Sequence, residues 1–479
     1  MKKTYVTSMP NHIGAFLKAS KCFANLGINI TRVSYNKAVD SHMLFIDAEG
    51  TKEQLKKADD ELLKIGYLQS NRNHTSIILV EFCLRDVCGS VTKVLELIDA
   101  FKFNISYISS QENGTDYQMF KMGLYVDDSA RIKEFLKEAQ KLCRVRVIDY
   151  SGSEKSYDNS IFYDSYVSAL SEMMQLSDDV REKLLVNVNL AMQTLDERGL
   201  SPQRTFESIN KFAQLLSISR GEGFLPRVTE HKITENTTIT LIEPPCGSNT
   251  MIVKSLGNVL FIDSGYACYK EEMEKIFVKI IPGFENMKKT VLVTHADVDH
   301  CGLIWMFDEI LASRKTAQCL ENEYNARNGY REENPLHKPY IAICKMLTSY
   351  NPPQPGKIKP MWGDMKELSD PIEKAGTFDF GELHFDVYEG MGGHLKGEII
   401  LIDSNLHIAV TGDVYINVHG LTPQQAEYNR YAPILMTSVD TLPRLCAAER
   451  AAVIKKLGGG RWQIFGAHGY KKDYNADNK

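Results

Sequence analysis

The chain of 479 residues contains no long apolar run. No stretch approaches the roughly 18 apolar residues that a membrane-spanning helix needs. The N-terminus enters an alternating pattern directly, without the apolar core of a signal peptide. None of the ten cysteines forms a C-x-x-C pair, which argues against a zinc ribbon or a thioredoxin-type motif. We therefore expect a cytoplasmic protein with reduced cysteines and no membrane partner.

An excess of positive charge is also missing. The 56 Lys and Arg residues face 61 Asp and Glu residues, so the net charge is −5. Such a chain has no overall basic field to attract nucleic acid, which is therefore not an expected partner. Apolar residues make up 43% and charged residues 24% of the chain, which is ordinary globular usage. At about 150 residues per domain, the length predicts about three domains.

The N-terminal third contains an internal repeat. Gly14 and Gly89 are 75 residues apart (89 − 14), and each lies in the same local pattern. Predicted strands at 4–8 and 76–84 each lead through a turn to an amphipathic helix, at 14–26 and 89–101. Each copy continues with a β-rich run, a third strand, a second helix and a short final strand. The pattern predicts two consecutive βαββαβ units.

These units resemble the ACT domain, a ferredoxin-like regulatory module that typically binds amino acids. The resemblance rests on the Asn/Asp-x-x-Gly turns, on the segment 27–30 (Gly-Ile-Asn-Ile) and on the order of elements. A glycine permits close backbone approach, and the following helix N-terminus offers free N–H groups to a carboxylate. The resemblance implies an amino-acid effector and these effector-binding residues: Asn11, Gly14, Asn29, Asp86, Gly89 and Asn104. Plain helix caps are an equally open interpretation of the two turns.

A polar segment at 151–160 separates the repeat from three predicted helices at 161–176, 178–198 and 202–219. Ser177 and Ser201 are expected N-caps, and Pro202 suits the first position of its helix. The Met and Tyr residues of these helices are interpreted as core. This region is expected to connect the two parts of the chain or to support dimerisation.

From about residue 235 the pattern changes to short strands followed by glycine-bearing turns. After a strand at 290–293 come four potential metal-ligand residues within six positions: His295, Asp297, Asp299 and His300. His394, Asp413 and His468 follow later, each at a strand end. So many carboxylates beside a buried strand would be costly without cations to offset their charge.

The ordered set resembles the metallo-β-lactamase superfamily of αββα metallohydrolases, over about residues 235–470. The Asp263-Ser264-Gly265 turn and Glu449-Arg450 at the late helix fit the same pattern. The resemblance implies two divalent ions. One would be held by His295, Asp297 and His394 and the other by Asp299, His300 and His468, with Asp413 between them.

Asp297 stands where the superfamily usually has a second His. The site would then supply three carboxylates, and their hard oxygen donors favour Mn or Fe over Zn. A carboxylate here resembles two subgroups, the flavodiiron-type reductases and the competence-type nucleases. The chain shows no concentrated basic stretch beside the site, so we do not expect a nuclease.

The expected fold is thus a multidomain α/β and α+β chain. The predicted domains are two ACT-like units at 1–72 and 73–152, a helical linker at 153–232 and a metallo-β-lactamase sandwich at 233–479. Residues 322–359, rich in Tyr and Asn, are predicted to be a helical insertion that either shapes the pocket or forms a surface contact.

The leading functional hypothesis is a hydrolase in which a metal-bound hydroxide attacks an ester, thioester, lactone or phosphodiester-type small molecule. Asp299 and Lys396 are the candidate catalytic residues, for holding water and for neutralising an oxyanion. A homodimer or larger oligomer is expected. Two alternatives stay open: a di-iron protein that handles oxygen or nitric oxide, and a non-catalytic regulator responsive to an amino acid.

Overall fold

The computed structural model describes residues 1–8, 15–34, 43–67, 76–85, 90–111, 117–126, 129–147, 160–198, 202–335, 337–431 and 439–477. The chain divides into two compact units. The first comprises Met1–Glu172 and Ser177–Gln193, and the second comprises Met173–Leu176 and Thr194–Lys479. In the described ranges, none of the helices has both the length and the apolar character needed to cross a bilayer. The predicted mixed α/β chain is confirmed.

The first unit begins with a three-stranded antiparallel sheet in the order β1-β3-β2. Its elements are β1 (Lys2–Ser8), α1 (Ala15–Asn25), β2 (Asn29–Ser34), β3 (Met43–Glu49) and α2 (Lys52–Lys64). Strand β3 is apolar on both faces and central, and Leu44 and Ile46 pack with Phe23 of α1 and Leu62 of α2. A reciprocal cap between Thr51 and Gln54 starts α2.

A second sheet in this unit has the element order βαββαβ. The elements are β4 (Ser76–Arg85), α3 (Ser90–Ala100), β5 (Asn104–Gln111), β6 (Tyr117–Val126), α4 (Ser129–Leu142) and β7 (Arg144–Val147). The strands are antiparallel in the order β5-β6-β4-β7. The two helices pack on one face, where Phe82 of β4 meets Phe135 of α4 edge to face at 6.3 Å between ring centroids.

Three longer helices follow. They are α5 (Ser160–Met174), α6 (Asp178–Glu197) and α7 (Pro202–Ile218). Pro202 opens α7, and Asp178 and Asp179 occupy the first turn of α6, where their charge favours the positive end of the helix dipole. The Met and Tyr positions expected in the core include Tyr163 and Met174, which are buried.

The second unit contains two sheets that pack face to face. The strands of the seven-stranded sheet are β8 (Arg227–Lys232), β9 (Thr237–Glu243), β10 (Thr250–Ser255), β11 (Asn258–Ile262), β12 (Thr290–Leu292), β13 (Glu309–Ser313) and β14 (Ile358–Trp362). The strands of the six-stranded sheet are β15 (Ile372–Phe380), β16 (Leu383–Gly390), β17 (Ile399–Asp403), β18 (Ile408–Val410), β19 (Arg461–Phe465) and β20 (Lys472–Asn475). The apolar side chains of both sheets meet in one core, with Leu241 and Val253 on one side and Phe385 and Leu401 on the other.

Helices connect the strands of this sandwich. They are α8 (Lys270–Ile280), α9 (Arg314–Tyr324), α10 (Lys338–Leu347), α11 (Pro423–Asn429) and α12 (Pro443–Lys456). Strand β17 shows why both faces must be covered. Ile399 and Leu401 point into the core between the sheets, whereas Ile400 and Ile402 pack outward with Val453 of α12. Because both faces of β17 are buried, its apolar residues form a continuous run.

Candidate metal centre

Four loops bring the predicted ligand residues together at one edge of the sandwich. The segment 295–300 follows β12, His394 follows β16, Asp413 follows β18 and His468 follows β19. Because the loops leave the sheets at the same edge, residues up to 173 positions apart (468 − 295) meet in one cluster. The imidazoles of His295, His300, His394 and His468 are all buried.

The cluster consists of two triplets with the spacing of metal ligands. One contains His295, His394 and Asp413, and the other contains Asp299, His300 and His468; within each, the ligand atoms lie within 4.8 Å of one another. Asp413 faces both. Its Oδ2 lies 3.3 Å from His394 Nε2, and its Oδ1 lies 3.4 Å from His468 Nε2. The Asp413 carboxylate therefore lies within reach of an ion at either triplet.

Oxygen atoms behind three imidazoles set their orientation. Asp263 contacts His300 Nδ1 at 2.8 Å, Asp440 contacts His394 Nδ1 at 2.9 Å, and the Thr294 hydroxyl lies 3.0 Å from His295 Nδ1. Such partners hold the proton on Nδ1 and turn the Nε2 lone pair toward the centre of the site.

A tight loop contact holds His394 in place. The Glu449 carboxylate accepts hydrogen bonds from the N–H groups of Gly392 and Gly393 at 2.9 and 2.8 Å. A Cβ on Gly393 would lie 2.2 Å from the backbone nitrogen of Cys446, so only glycine permits this approach. Burial raises the pKa of Glu449 to about 7.

The electrostatics of the cluster suit a cation. The Nε2 atom of His300 and Oδ1 of Asp413 are buried and have no hydrogen-bond partner, a costly arrangement unless an ion satisfies them. Burial lowers the pKa of His394, but the carboxylates of Asp413 and Glu398 outweigh it and raise the pKa to about 10. An excess of negative charge around imidazoles is what a divalent metal would neutralise. The residues therefore fit a divalent metal ion.

Asp297 has a partner that the sequence did not indicate. Arg331, in the 3₁₀ turn Tyr330–Glu333, donates from Nε to Asp297 Oδ1 at 2.8 Å and from Nη2 to Asp297 Oδ2. The same Nη2 lies 3.0 Å from His394 Nε2. Burial would raise the pKa of Asp297, but the Arg331 guanidinium holds that pKa well below its usual range.

The two candidate catalytic residues lie in different surroundings. Asp299 lines the cleft, with Oδ2 at 3.5 Å from His468 Nε2. Lys396 is half-exposed, and its ammonium lies 3.4 Å from Glu333 and 5.6 Å from the centroid of the Tyr330 ring. It is not among the described residues that line the cleft.

A cleft of about 760 Å³, partly open to solvent, leads to the cluster. Tyr266, Tyr428 and Phe212 form an aromatic wall, and the hydroxyls of the two tyrosines share a hydrogen bond. The segment 322–359 supplies the opposite wall. Its lining residues are Glu323, Tyr330, Arg331, Ile341, Cys344 and Lys345. This segment contains α10, and it shapes the pocket.

Most of the predicted effector residues lie outside the described part of the chain, namely Asn11, Gly14, Asp86 and Gly89. Asn29 begins β2, where it is exposed and pairs with Glu49 of β3. Asn104 begins β5 and pairs with Tyr125 of β6.

No protein-family profile and no curated protein sequence matches the chain. Solved structures do match about half of it. BLEG-1 B3 metallo-beta-lactamase is 16% identical over 47% of this chain and 88% of its own, with a TM-score of 0.29. A metallo-beta-lactamase from Pontibacter korlensis is 15% identical over 52% of this chain and 94% of its own, with a TM-score of 0.30. A variant flavo di-iron protein from Thermotoga maritima is 15% identical over 52% of this chain and 58% of its own, with a TM-score of 0.33.

Proposed function

We propose that the second unit is a metal-dependent hydrolase of the metallo-β-lactamase type, acting on a small ester, thioester, lactone or phosphodiester. One observation carries the proposal: Asp413 lies between two triplets of ligand residues, where the buried Nε2 atom of His300 has no other partner. Divalent ions in such a site lower the pKa of bound water and polarise the oxygen of the substrate. The carboxylate-rich ligand set favours Mn or Fe over Zn.

The residues of the chain then have distinct tasks. Asp299 faces the cleft, where its carboxylate can hold water and accept a proton. The aromatic wall of Phe212, Tyr266 and Tyr428 excludes water from one side of the bound substrate. Asp263 and Asp440 keep the imidazoles turned inward.

The test is metal analysis combined with hydrolysis assays. Protein stripped with a chelator should regain hydrolysis of a generic ester, thioester, lactone or phosphodiester when Mn²⁺, Fe²⁺ or Zn²⁺ is added. Asp413→Asn should lose both the metal and the activity. Asp379→Asn, at a position with 73% side-chain exposure on β15, is the matched control and should retain both.

A folded wild-type protein that binds no divalent metal would refute the proposal. Exposing anaerobically purified protein to air distinguishes the di-iron alternative, because oxygen oxidises a ferrous pair to an oxo-bridged ferric pair that absorbs visible light, whereas Zn or Mn sites in this ligand set are colourless.

We also propose that residues 1–72 and 73–152 of the first unit are a pair of ACT modules that bind an amino acid. The βαββαβ order of β4 to β7 and the antiparallel order β5-β6-β4-β7 support this. A thermal-shift and activity screen of all twenty amino acids should yield at least one that changes melting temperature or rate. If none of them changes either, the regulatory proposal fails while the hydrolase proposal stands.

A further inference from the structure

Arg331 is a buried cation within the cluster of candidate ligands. Only 6% of its surface is exposed, and it is held from both sides. Nη1 donates to the carbonyl of Val439 at 2.6 Å, while Nε and Nη2 donate hydrogen bonds to the Asp297 carboxylate. A guanidinium with this many charge-assisted bonds in a buried place has a defined position.

That position blocks one of the two places where an ion could bind. Nη2 of Arg331 lies 3.0 Å from His394 Nε2, the nitrogen whose lone pair a metal would need. One lone pair cannot accept an N–H and coordinate a cation at the same time. Both carboxylate oxygens of Asp297 are also engaged by the guanidinium. Arg331 thus occupies the lone pair of His394 Nε2 and neutralises Asp297 at the position that includes His295.

The other position keeps its ligands. Asp299, His300 and His468 lie within ligand distance of one another, and Asp413 Oδ1 lies 3.6 Å from His300 Nε2. His300 Nε2 and Asp413 Oδ1 have no hydrogen-bond partner. These two atoms are therefore available for an ion.

The charge balance agrees with the geometry. Three carboxylates face the centre, namely Asp297, Asp299 and Asp413. The Arg331 guanidinium neutralises Asp297, and three negative charges minus one leaves two. A single divalent cation neutralises the remaining pair of ligand carboxylates.

We propose that Arg331 takes the electrostatic place of one metal ion, so that the site binds a single divalent ion at Asp299, His300, His468 and Asp413. This rests on the proposed function and specifies its metal requirement. The inward Arg331 also makes the segment 322–359 part of the metal centre.

The test counts ions per folded chain by elemental analysis after dialysis against Mn²⁺. Wild type should hold about one ion, and Arg331→Gln, which frees Asp297 and His394, should hold about two. Arg331→Lys, which retains the charge, should hold about one. Arg227→Gln is the matched control, because Arg227 pairs with the buried Glu243 outside the cleft; it should also hold about one.

Two tight ions in wild type would overturn this inference while leaving the proposed function intact. A count that stays at one in folded Arg331→Gln would also overturn it. No ion in wild type would defeat both proposals. Manganese EPR of the wild type distinguishes one bound ion from two even if a variant does not fold. An isolated six-line spectrum supports a single ion, and an exchange-coupled signal contradicts it.

Discussion

Asp263 provides the sharpest test of how the site is built. Its Oδ1 accepts the backbone N–H of Thr294 at 2.8 Å, and its Oδ2 meets His300 Nδ1 at 2.8 Å. A carboxylate can accept both hydrogen bonds, but the amide of Asn has only one acceptor. In one rotamer of Asp263→Asn, the amide oxygen still accepts the Thr294 N–H. The NH₂ group of the amide then faces His300 Nδ1.

The expected loss follows from the proton of His300. Facing an NH₂ donor, Nδ1 must become the acceptor, so the proton moves to Nε2 and the lone pair no longer faces the centre. The opposite rotamer leaves the buried Thr294 N–H without an acceptor. Loss of such a partner typically reduces metal affinity 10- to 100-fold, or about 1.4–2.8 kcal/mol.

A competition titration with a chromophoric chelator measures this affinity. Asp403→Asn is the matched control, because Asp403 is also buried and accepts backbone N–H groups, from His384, Asn405 and Leu406. It should lose stability without a change in metal affinity. Equal affinity in wild type and Asp263→Asn would refute the reasoning that the carboxylate sets the imidazole tautomer.

Three further substitutions probe the scaffold. Phe385→Ala in the core between the sheets should lower the free energy of unfolding by about 3–5 kcal/mol in urea titrations; a loss below about 1 kcal/mol would contradict the packing. Lys345→Met leaves Glu323 and Glu332 without their shared ammonium and should lower the free energy of unfolding by about 3–5 kcal/mol by the same measurement. Gly393→Ala should lower the free energy of unfolding in the same titrations, because its Cβ would lie 2.2 Å from the backbone nitrogen of Cys446, whereas Gly356→Ala, where a Cβ meets nothing within 4 Å, should leave it unchanged.

Much of the second unit could be predicted from local sequence patterns. The strand β17 is apolar at every position before Asp403 because both of its faces are buried, and such runs are recognisable without a structure. Residues that follow strands at one sheet edge are expected to converge, which is how His394, Asp413 and His468 could be grouped. In the helical region, α6 was predicted at 178–198 and spans Asp178–Glu197.

The contacts that complete the site could not be predicted in the same way. Asp440 is 46 residues from His394, and Arg331 is 34 residues from Asp297. Neither lies in a recognisable motif, and each contact depends on how a loop crosses the sheet edge. The edge strand β8 was also missed, because its buried and exposed positions alternate over few apolar residues.

The metal-ligand residues and one wall of the cleft come from different parts of the chain, because that wall belongs to the insertion at 322–359. The ligand residues sit on loops of the two sheets, whereas one cleft wall and the Arg331 guanidinium come from this segment. Changes in Tyr330, Ile341 or Cys344 can therefore alter the shape of the pocket without moving a ligand. A change at Arg331 alters the charge that the metal site must balance. Substrate choice and metal number would then be coupled through one stretch of chain, although the segment contains none of the metal ligands that we propose.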